Sequence, residues 1–414
     1  MSVDTIWYGI IGCGGHALDG HALHGKQVAN LGLYGLYDPK MEQMDALESA
    51  YGTTLVKFES EVQMLQYSHI EAVLIASADQ YHLDSLERAI EHGKHVLVEK
   101  PLITDASEVE RLKSILARAK EKGLVVSSCH ARRFDPPFLM LKRELARPSS
   151  YLGHIGPPQQ FHFDFSYHRP TATWKHDRSL MLDHLNHEID LMHFLFGYTG
   201  FEARKICDAY NRYEVHGKRD DGLTFLFHGT RGLMAEKHFL ERVRVRGVYG
   251  EFTLDCATGL LQLYYHDAEN LPMTMHFTAK TDYEVRSVGV MKNFVAAIRG
   301  EEQCYLTHDD LVLNSMTGVM LQKDGYFRWP KPELDEKIHV AYTVIKDNKD
   351  PITAKKEHDR GFEDGKALKQ SNPRLDHFIE YQEGHDKGLK VAYLTWDRAR
   401  QGEFPLPVPK SNLI

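Results

Sequence analysis

Residues 6–17 read Ile-Trp-Tyr-Gly-Ile-Ile-Gly-Cys-Gly-Gly-His-Ala. The first half is apolar and rich in β-branched and aromatic side chains, as expected of a buried strand in a parallel sheet. The second half follows the pattern G-x-G-x-x-A, in which Gly12 permits a tight turn, Gly14 lets a ligand approach the backbone and Ala17 lets the next helix pack on the strand. The stretch therefore predicts a strand, a turn and a helix whose N-terminus binds the pyrophosphate of a dinucleotide.

The remaining loop residues, Gly15 and His16, belong to the same predicted cofactor-binding segment. We expect His16 to bind the pyrophosphate through its backbone N–H rather than through its ring. The nearby His21 and His24 have no cysteine partners at zinc-type spacing, so we interpret them as packing or surface residues.

An acidic residue after the next predicted strand supports the dinucleotide interpretation. The apolar run 31–37 is followed by Asp38, about twenty residues beyond the glycines. A carboxylate at that distance accepts hydrogen bonds from the adenosine ribose and repels a 2′-phosphate, which favours NAD. Lys40 lies close enough to weaken this preference, so NADP stays possible.

Further strands and helices alternate after Asp38. The predicted strands are 71–76, 95–98 and 124–127, and the predicted helices are 81–92 and 105–122. Such alternation predicts right-handed crossovers and a parallel sheet that binds ligands at its carboxyl edge. We therefore assign residues 1–128 to a doubly wound Rossmann domain of the α/β class.

The composition limits the remaining possibilities. The chain has 414 residues, a net charge of −8 and 42% hydrophobic residues, which fits two or three globular domains. The acid excess gives no attraction to nucleic acid, and we find no apolar run of about 18–20 residues and no secretory signal. Five scattered cysteines fit reduced thiols in a cytoplasmic protein, and we expect no metal site.

The pattern changes after the predicted Rossmann domain. Residues 129–326 contain alternating strands such as 159–167, which predict an α+β domain with a large open sheet that has one covered face. Such a sheet would offer an association surface, so we expect a homo-oligomer, either a dimer or a tetramer. Residues 327–414 are assigned to an extension or insertion that ends in a helix at 388–402.

Several motifs occur in an order that resembles a known family. They are Gly-x-Gly-x-x-Ala at 12–17, Ser77 to His82, Glu99-Lys100-Pro101, Arg132-Arg133-Phe134-Asp135-Pro136 and Asp183-x-x-x-His187-x-x-Asp190. This order resembles the glucose–fructose oxidoreductase / inositol dehydrogenase (Gfo/Idh/MocA) family. The resemblance implies a Rossmann domain followed by a domain with a large, mostly antiparallel open sheet. It also implies an NAD(P)-dependent dehydrogenase acting on CH–OH donors, with Ser77, His82, Glu99 and Lys100 near the cofactor.

The predicted catalytic residues are Lys100, Asp183 and His187. A strand-end ammonium at Lys100 would stabilise an alkoxide, and the resemblance places this lysine beside the nicotinamide. The segment 180–195 reads as a helix, and the i,i+4 spacing of Asp183 and His187 places both on one face. By resemblance, His187 takes the proton of the substrate hydroxyl. A metal site or a plain buried helix are the alternative interpretations of this segment.

The predicted substrate-binding residues are Arg133, Trp174 and Arg178, together with Asp183 and His187. Where the family commonly has a glycine triplet, residues 177–179 read Asp-Arg-Ser, which reshapes the mouth of the pocket. Arg178 could pair with a carboxylate or phosphate of the substrate, or belong to a charged surface loop. The sequence thus leaves the substrate open among sugars, polyols and their derivatives.

The sequence therefore predicts an NAD-dependent oxidoreductase that transfers hydride between a secondary hydroxyl of a sugar, polyol or sugar derivative and nicotinamide. Two alternatives stay open. One is a redox-neutral NAD-dependent glycosidase that acts by oxidation and elimination. The other is a non-catalytic dinucleotide-binding regulatory protein.

Overall fold

The computed structural model describes residues 5–146, 155–167, 179–209, 211–231, 239–266, 271–279 and 281–330. Two sheets organise these residues, and the predicted substrate residues Trp174 and Arg178 lie outside the described ranges, as does the predicted helix at 388–402.

The first sheet has six strands, all parallel, in the order β3-β2-β1-β4-β5-β6. Its strands are β1 (Ile6–Ile11), β2 (Leu31–Tyr37), β3 (Val56–Lys57), β4 (Ala72–Ile75), β5 (His95–Val98) and β6 (Val126–Ser128). Strand order reverses on either side of β1, where the chain leaves β1 through the glycine turn. The predicted doubly wound parallel sheet is confirmed, and ligands bind at the carboxyl edge of such sheets.

Helices cover both faces of this sheet. They are a π-helical turn (Ala17–Ala22), α1 (Leu23–Gly25), α2 (Met41–Tyr51), α3 (Glu61–Gln66), α4 (His82–Glu91) and α5 (Val109–Glu121), with short 3-10 turns at Asp79–Tyr81 and Ala106–Glu108. The helix after the glycines thus begins at Gly15 and contains a π-helical segment over Ala17–Ala22 before it continues as α1. The predicted helices 81–92 and 105–122 contain α4 and α5, and each buries one apolar face.

The second sheet has nine strands in the order β14-β13-β12-β11-β7-β10-β9-β8-β15. The strands are β7 (Pro158–Tyr167), β8 (Phe201–Ala209), β9 (Arg212–Arg219), β10 (Thr224–Thr230), β11 (Phe239–Gly247), β12 (Gly250–Asp255), β13 (Leu260–His266), β14 (Pro272–Thr278) and β15 (Tyr326–Trp329). β7 and β10 are parallel, and the other neighbouring pairs are antiparallel. The predicted large, mostly antiparallel sheet is therefore confirmed.

Four helices connect the two sheets: α6 (Pro136–Leu145), α7 (Leu180–Phe196), α8 (Tyr283–Ile298) and α9 (His308–Asp324). α7 begins at Ser179, whose hydroxyl accepts a hydrogen bond from the N–H of Met181, and ends at Gly197, as predicted. Its apolar side packs in one core with Phe161 and Phe163 of β7. The second sheet thus holds α7 along its covered face.

The last two helices also complete the core of the first domain. Met291 of α8 is buried in one cluster with Ile10 of β1, and Leu311 of α9 is buried with Ile115 of α5. The predicted boundary at 128 matches the end of the last parallel strand, but helices from beyond it pack on the first sheet. β15 crosses the boundary predicted at 326.

The outer face of the second sheet carries charged side chains at its centre. Arg244 donates to His162 Nδ1 at 2.7 Å, and His228 Nδ1 lies 2.8 Å from Asp164 Oδ1. The one-sided burial predicted for 159–167 is observed, with phenylalanines inside and polar residues outside. The oligomeric state stays a prediction. Each helix in the described ranges is too short or too polar to cross a lipid bilayer.

Candidate active site

The glycine turn after β1 is shaped to receive a phosphate group. Gly12 has φ +88°, and a Cβ there would overlap the backbone of Ser77 at the end of β4, so only glycine fits. At Gly14 and Gly15 a Cβ would meet no atom within 4 Å, which leaves open space beside the backbone. The Ser77 hydroxyl is buried beside this turn and has no hydrogen-bond partner among the described residues. These features fit the pyrophosphate of a dinucleotide.

Asp38 lies directly beside this turn. Its Oδ2 accepts a hydrogen bond from the Cys13 N–H at 2.9 Å, and its Oδ1 accepts one from the Lys40 N–H at 2.9 Å. The two bonds hold a carboxylate at the end of β2, where the predicted ribose contact requires an acceptor. The position agrees with the predicted role, which stays a prediction.

His82 connects two strand ends near the turn. Its ring nitrogens lie 2.9 Å from the Ser77 carbonyl oxygen and 2.7 Å from the Pro101 carbonyl oxygen. The ring is buried, so its contribution to the site is to hold the segment after β4 against the segment after β5. We interpret His82 as a positioning residue for the predicted cofactor site.

Glu99 forms a buried anionic centre at the end of β5. Its Oε1 accepts from His16 Nε2 at 3.0 Å and from His21 Nε2 at 2.6 Å, and its Oε2 accepts from the Lys100 N–H at 3.2 Å. Burial alone would raise the pKa of Glu99, but His16 and His21 hold that pKa well below its usual value. The ring of His16 thus has a partner of its own, in addition to the backbone role predicted for it.

Lys100 and Asp183 meet across the two domains. The ammonium Nζ donates to Asp183 Oδ1 and to the Asp183 carbonyl oxygen, both at 2.8 Å. Burial alone would lower the pKa of Lys100, but the adjacent Asp183 carboxylate outweighs this effect and raises it. This contact holds a cation at the carboxyl edge of the parallel sheet, and the catalytic roles of the two residues stay a prediction.

His187 lies one turn further along α7. Its Nδ1 is buried and has no hydrogen-bond partner among the residues described. Burial, together with the charges of Arg132 and Lys100, lowers the pKa of His187 well below its usual value. The imidazole is therefore neutral near pH 7, as a proton acceptor must be.

His130 is a residue of this site that the sequence analysis missed. It follows β6, its ring centroid lies 5.5 Å from that of His187, and it is 1% exposed. Neither ring nitrogen has a hydrogen-bond partner within the described ranges, and burial lowers the pKa of His130 to about 4. Its position after a parallel strand, next to the Arg132-Arg133 motif, is the signal that could have identified it.

Arg133 has contacts that differ from those of a free substrate-binding group. Its guanidinium donates to both carboxylate oxygens of Asp190, to Asp310 and to the Tyr305 carbonyl oxygen. The carboxylates of Asp190 and Asp310 are each 1% exposed. These contacts favour a role in holding α7, α9 and the segment after β6 together, and the predicted substrate contact stays untested.

A second buried network fixes the middle of α7. Arg132 pairs with Glu241 of β11 and lies 3.0 Å from His184 Nε2, while His184 Nδ1 lies 2.7 Å from Glu188. The His184 ring stacks on Phe165 of β7 at a centroid distance of 3.4 Å. Because His184 is held in this way, its neighbours on α7, Asp183 and His187, are also fixed in position.

Comparisons with known proteins agree with this geometry. Residues 6–130 match the model of the GFO_IDH_MocA family, described as an oxidoreductase family with an NAD-binding Rossmann fold. The scyllo-inositol 2-dehydrogenase (NADP(+)) IolW of Bacillus subtilis is 29% identical over 201 residues, or 47% of this chain and 53% of that protein. The scyllo-inositol 2-dehydrogenase (NAD(+)) of the same organism is 30% identical over 141 residues, or 34% of this chain and 39% of that protein.

The fold likeness extends further along the chain than the sequence likeness. The crystal structure of apo scyllo-inositol dehydrogenase from Lactobacillus casei superposes with a TM-score of 0.65 at 18% identity, covering 79% of this chain and 99% of that one. By sequence, the chain spans about half the length of the first curated relative and less of the second. The predicted fold class is confirmed. Residues 6–130 are thus similar to the NAD-binding Rossmann domain of the Gfo/Idh/MocA oxidoreductase family.

Proposed function

We propose that the protein is an NAD(P)-dependent oxidoreductase that acts on a secondary hydroxyl of a cyclic polyol or sugar. The observation that carries this proposal is the contact of Lys100 with Asp183 at 2.8 Å, one turn from His187 and at the carboxyl edge of the Rossmann sheet. A cation that stabilises an oxyanion and a neutral imidazole that accepts a proton are the two groups that oxidation of an alcohol requires.

The cofactor site would consist of the glycine turn and Asp38. The backbone at Gly14 and Gly15 would receive the pyrophosphate, and Asp38 would accept from the ribose hydroxyls. When bound, NAD(P) supplies the acceptor or donor of the hydride. Asp38 favours NAD because a carboxylate at that position repels a 2′-phosphate, whereas the two inositol dehydrogenase relatives are named for different dinucleotides.

Lys100 would bind the reacting oxygen of the substrate. Its ammonium has three N–H donors, and Asp183 accepts two of them through Oδ1 and the backbone carbonyl oxygen. The third can donate to the substrate oxygen and stabilise the negative charge that develops there. Asp183 supports this role because it keeps Lys100 protonated and in place.

His187 would take the proton of the substrate hydroxyl on a ring nitrogen. Its lowered pKa keeps the imidazole unprotonated at neutral pH, so it is ready to accept that proton. His130 lies against His187, with a ring-centroid distance of 5.5 Å, and we assign it to this part of the site. The substrate class is inferred from the names of the relatives, both of which act on scyllo-inositol.

The test is a turnover assay with the purified full-length chain. NAD or NADP is offered with scyllo-inositol, myo-inositol and a panel of pyranoses and their glycosides, and reduced nicotinamide is followed by absorbance. We expect net reduction with at least one cyclic polyol or sugar, faster with NAD than with NADP. The matched control is His187→Gln, which keeps the size and a hydrogen-bonding side chain but removes the proton acceptor.

Two outcomes would contradict the proposal. Release of the aglycone from a glycoside without net reduction of the cofactor would identify a redox-neutral glycosidase. Tight dinucleotide binding without turnover, and without exchange of substrate C–H for deuterium, would identify a regulatory protein.

A further inference from the structure

A second group of donor atoms converges beneath the glycine turn. His16 Nε2, His21 Nε2 and a carboxylate oxygen of Glu99 all lie within 4.8 Å of one another. Cys129 Sγ lies 3.8 Å from His21 Nε2 and is buried. Two separate segments therefore supply two imidazoles and a carboxylate to one point, and the Cys129 thiol lies beside His21.

The π-helical turn is what brings the two histidines together. Residues five apart on an α-helix with 3.6 residues per turn point about 140° away from each other. In the π-helical turn, residues five apart are one turn apart, and the rings of His16 and His21 lie 5.2 Å apart, edge to face. Gly20 makes room for this arrangement, since a Cβ there would lie 2.9 Å from His16 Cε1.

The donor set matches a particular class of ion. Imidazole nitrogen, thiolate sulfur and carboxylate oxygen are the ligands of tetrahedral zinc, at about 2.0–2.3 Å from the metal and hence about 3.3–3.8 Å from one another. The observed separations from Glu99 Oε1 to His16 and His21 are 3.0 and 2.6 Å, and that from His21 to Cys129 is 3.8 Å. Each of the two separations from Glu99 Oε1 needs to open by less than about 1 Å to reach the lower end of this tetrahedral spacing.

The charges also balance. A dication bound by the Glu99 carboxylate and the Cys129 thiolate leaves a neutral site, which is what a buried position tolerates. On binding, the Cys129 S–H bond breaks, a sulfur–metal bond forms and one proton leaves to solvent. Each histidine shifts its ring proton from Nε2 to Nδ1, so neither changes its charge.

Access to the cluster is from one side. The His16 side chain is 68% exposed, whereas those of His21 and Glu99 are 7% and 9% exposed. We propose that His16, His21, Glu99 and Cys129 form a binding site for a divalent transition metal ion of the zinc class, which His16 closes from the solvent side. An ion there would tie the glycine turn to the strand end next to Lys100.

The test uses cobalt(II) as a spectroscopic probe on the full-length chain after treatment with a chelator. We expect one equivalent to give the visible bands of tetrahedral cobalt and a thiolate-to-cobalt charge-transfer band, both abolished by added zinc. Cys129→Ser should remove the charge-transfer band. His16→Ala, at an exposed side chain, should weaken binding by more than about tenfold, because even outer partners of metal ligands contribute about 10–100-fold.

Matched controls separate this site from other histidines and cysteines of the chain. His24→Ala, one turn along from His21, and Cys304→Ser should bind cobalt like the unchanged protein. Circular dichroism checks that each variant is folded. The proposal is overturned if the unchanged protein binds no cobalt below millimolar concentration, or if Cys129→Ser and His16→Ala both bind it with unchanged spectra and affinity. This readout is binding, so it is independent of whether the protein oxidises any polyol.

Discussion

α7 supplies two carboxylates seven residues apart, and each pairs with a cation from the segments at the carboxyl edge of the Rossmann sheet. Asp183 pairs with Lys100 at 2.8 Å, and Asp190 pairs with Arg133 at 2.7 Å. Seven residues are about two turns, so both carboxylates lie on the same side of the helix. The two pairs thus join the same helix to the same domain, yet their surroundings differ.

The two pairs differ in how many N–H donors of each cation already have an acceptor in the protein. Asp190 and its neighbours accept from every nitrogen position of the Arg133 guanidinium, and the Asp190 carboxylate is 1% exposed. Lys100 and Asp183 are 17% and 16% exposed, and the ammonium keeps one donor beyond the two that Asp183 accepts. A saturated buried pair fixes the interface between domains, whereas a partly exposed pair with a spare donor can bind a substrate oxygen.

The largest expected effect is the loss of activity in Lys100→Ala. Removing the ammonium removes the group that stabilises charge on the substrate oxygen, and such a donor contributes about 10²–10³-fold to kcat. The variant is assayed with the polyol that the unchanged protein oxidises fastest, and NAD affinity is measured by fluorescence titration. We expect NAD affinity to be nearly unchanged, because the proposed pyrophosphate and ribose contacts belong to the glycine turn and Asp38 rather than to Lys100. Activity within threefold of the unchanged protein would remove Lys100 from the mechanism.

Arg133→Met should affect the other pair in a different way. The substitution leaves the buried carboxylates of Asp190 and Asp310 without their cation, and breaking a buried pair typically costs about 3–5 kcal/mol. The free energy of unfolding, measured in urea, should fall by that order, while kcat of the protein that stays folded changes little. The double variant Arg133→Met, Asp190→Asn should recover part of the loss.

The opposite result would reassign Arg133. If Arg133→Met keeps its stability but loses affinity for the substrate, the residue is a substrate ligand, as the sequence predicted. The distinction between the Lys100–Asp183 and Arg133–Asp190 pairs would then be wrong. A cation whose N–H donors all have protein acceptors could no longer be assigned a structural role on that ground.

The parts of the fold that the sequence predicted well are those with a local physical signature. The strands at 6–11, 31–37 and 95–98 have the bounds that the sequence predicted, because buried parallel strands are continuous apolar runs with sharp ends. The helix predicted at 180–195 is observed at Leu180–Phe196, and Gly197 ends it, whereas the capping role of Ser179 was not predicted. The assignment of Lys100 and Asp183 to one site followed from the resemblance in the order of motifs, whereas their direct contact was not predicted.

The parts that were missed depend on contacts between distant segments or on unusual local geometry. Periodicity assumes an α-helix after the glycine turn, and in an α-helix His16 and His21 would point apart, so their meeting at Glu99 was not foreseen. His130 has no pattern of its own, and its importance comes from the ring of His187 beside it. Arg133 was predicted to bind substrate. No sequence rule shows that Asp190 and Asp310 surround it, so these contacts could not be predicted.

The smallest expected effect is a change in pH dependence in Asp183→Asn. In the unchanged protein the Asp183 carboxylate raises the pKa of Lys100 against the opposing effect of burial, so the ammonium persists above its usual range. Without that carboxylate the lowering effect of burial on the Lys100 pKa is opposed only by the smaller effects of Glu99 and Asp79, and an opposite charge at this distance typically accounts for about 1–3 pKa units. The alkaline limb of log kcat/KM should therefore move to lower pH, while near pH 7 most of the lysine stays protonated and activity falls far less than in Lys100→Ala.

The measurement is kcat/KM between neutral and strongly alkaline pH, with Asp84→Asn, the same change at a surface pair with Arg111, as the matched control. A limb that stays in place would mean that Asp183 only anchors Lys100, and the two pairs on α7 would then differ in exposure but not in chemistry.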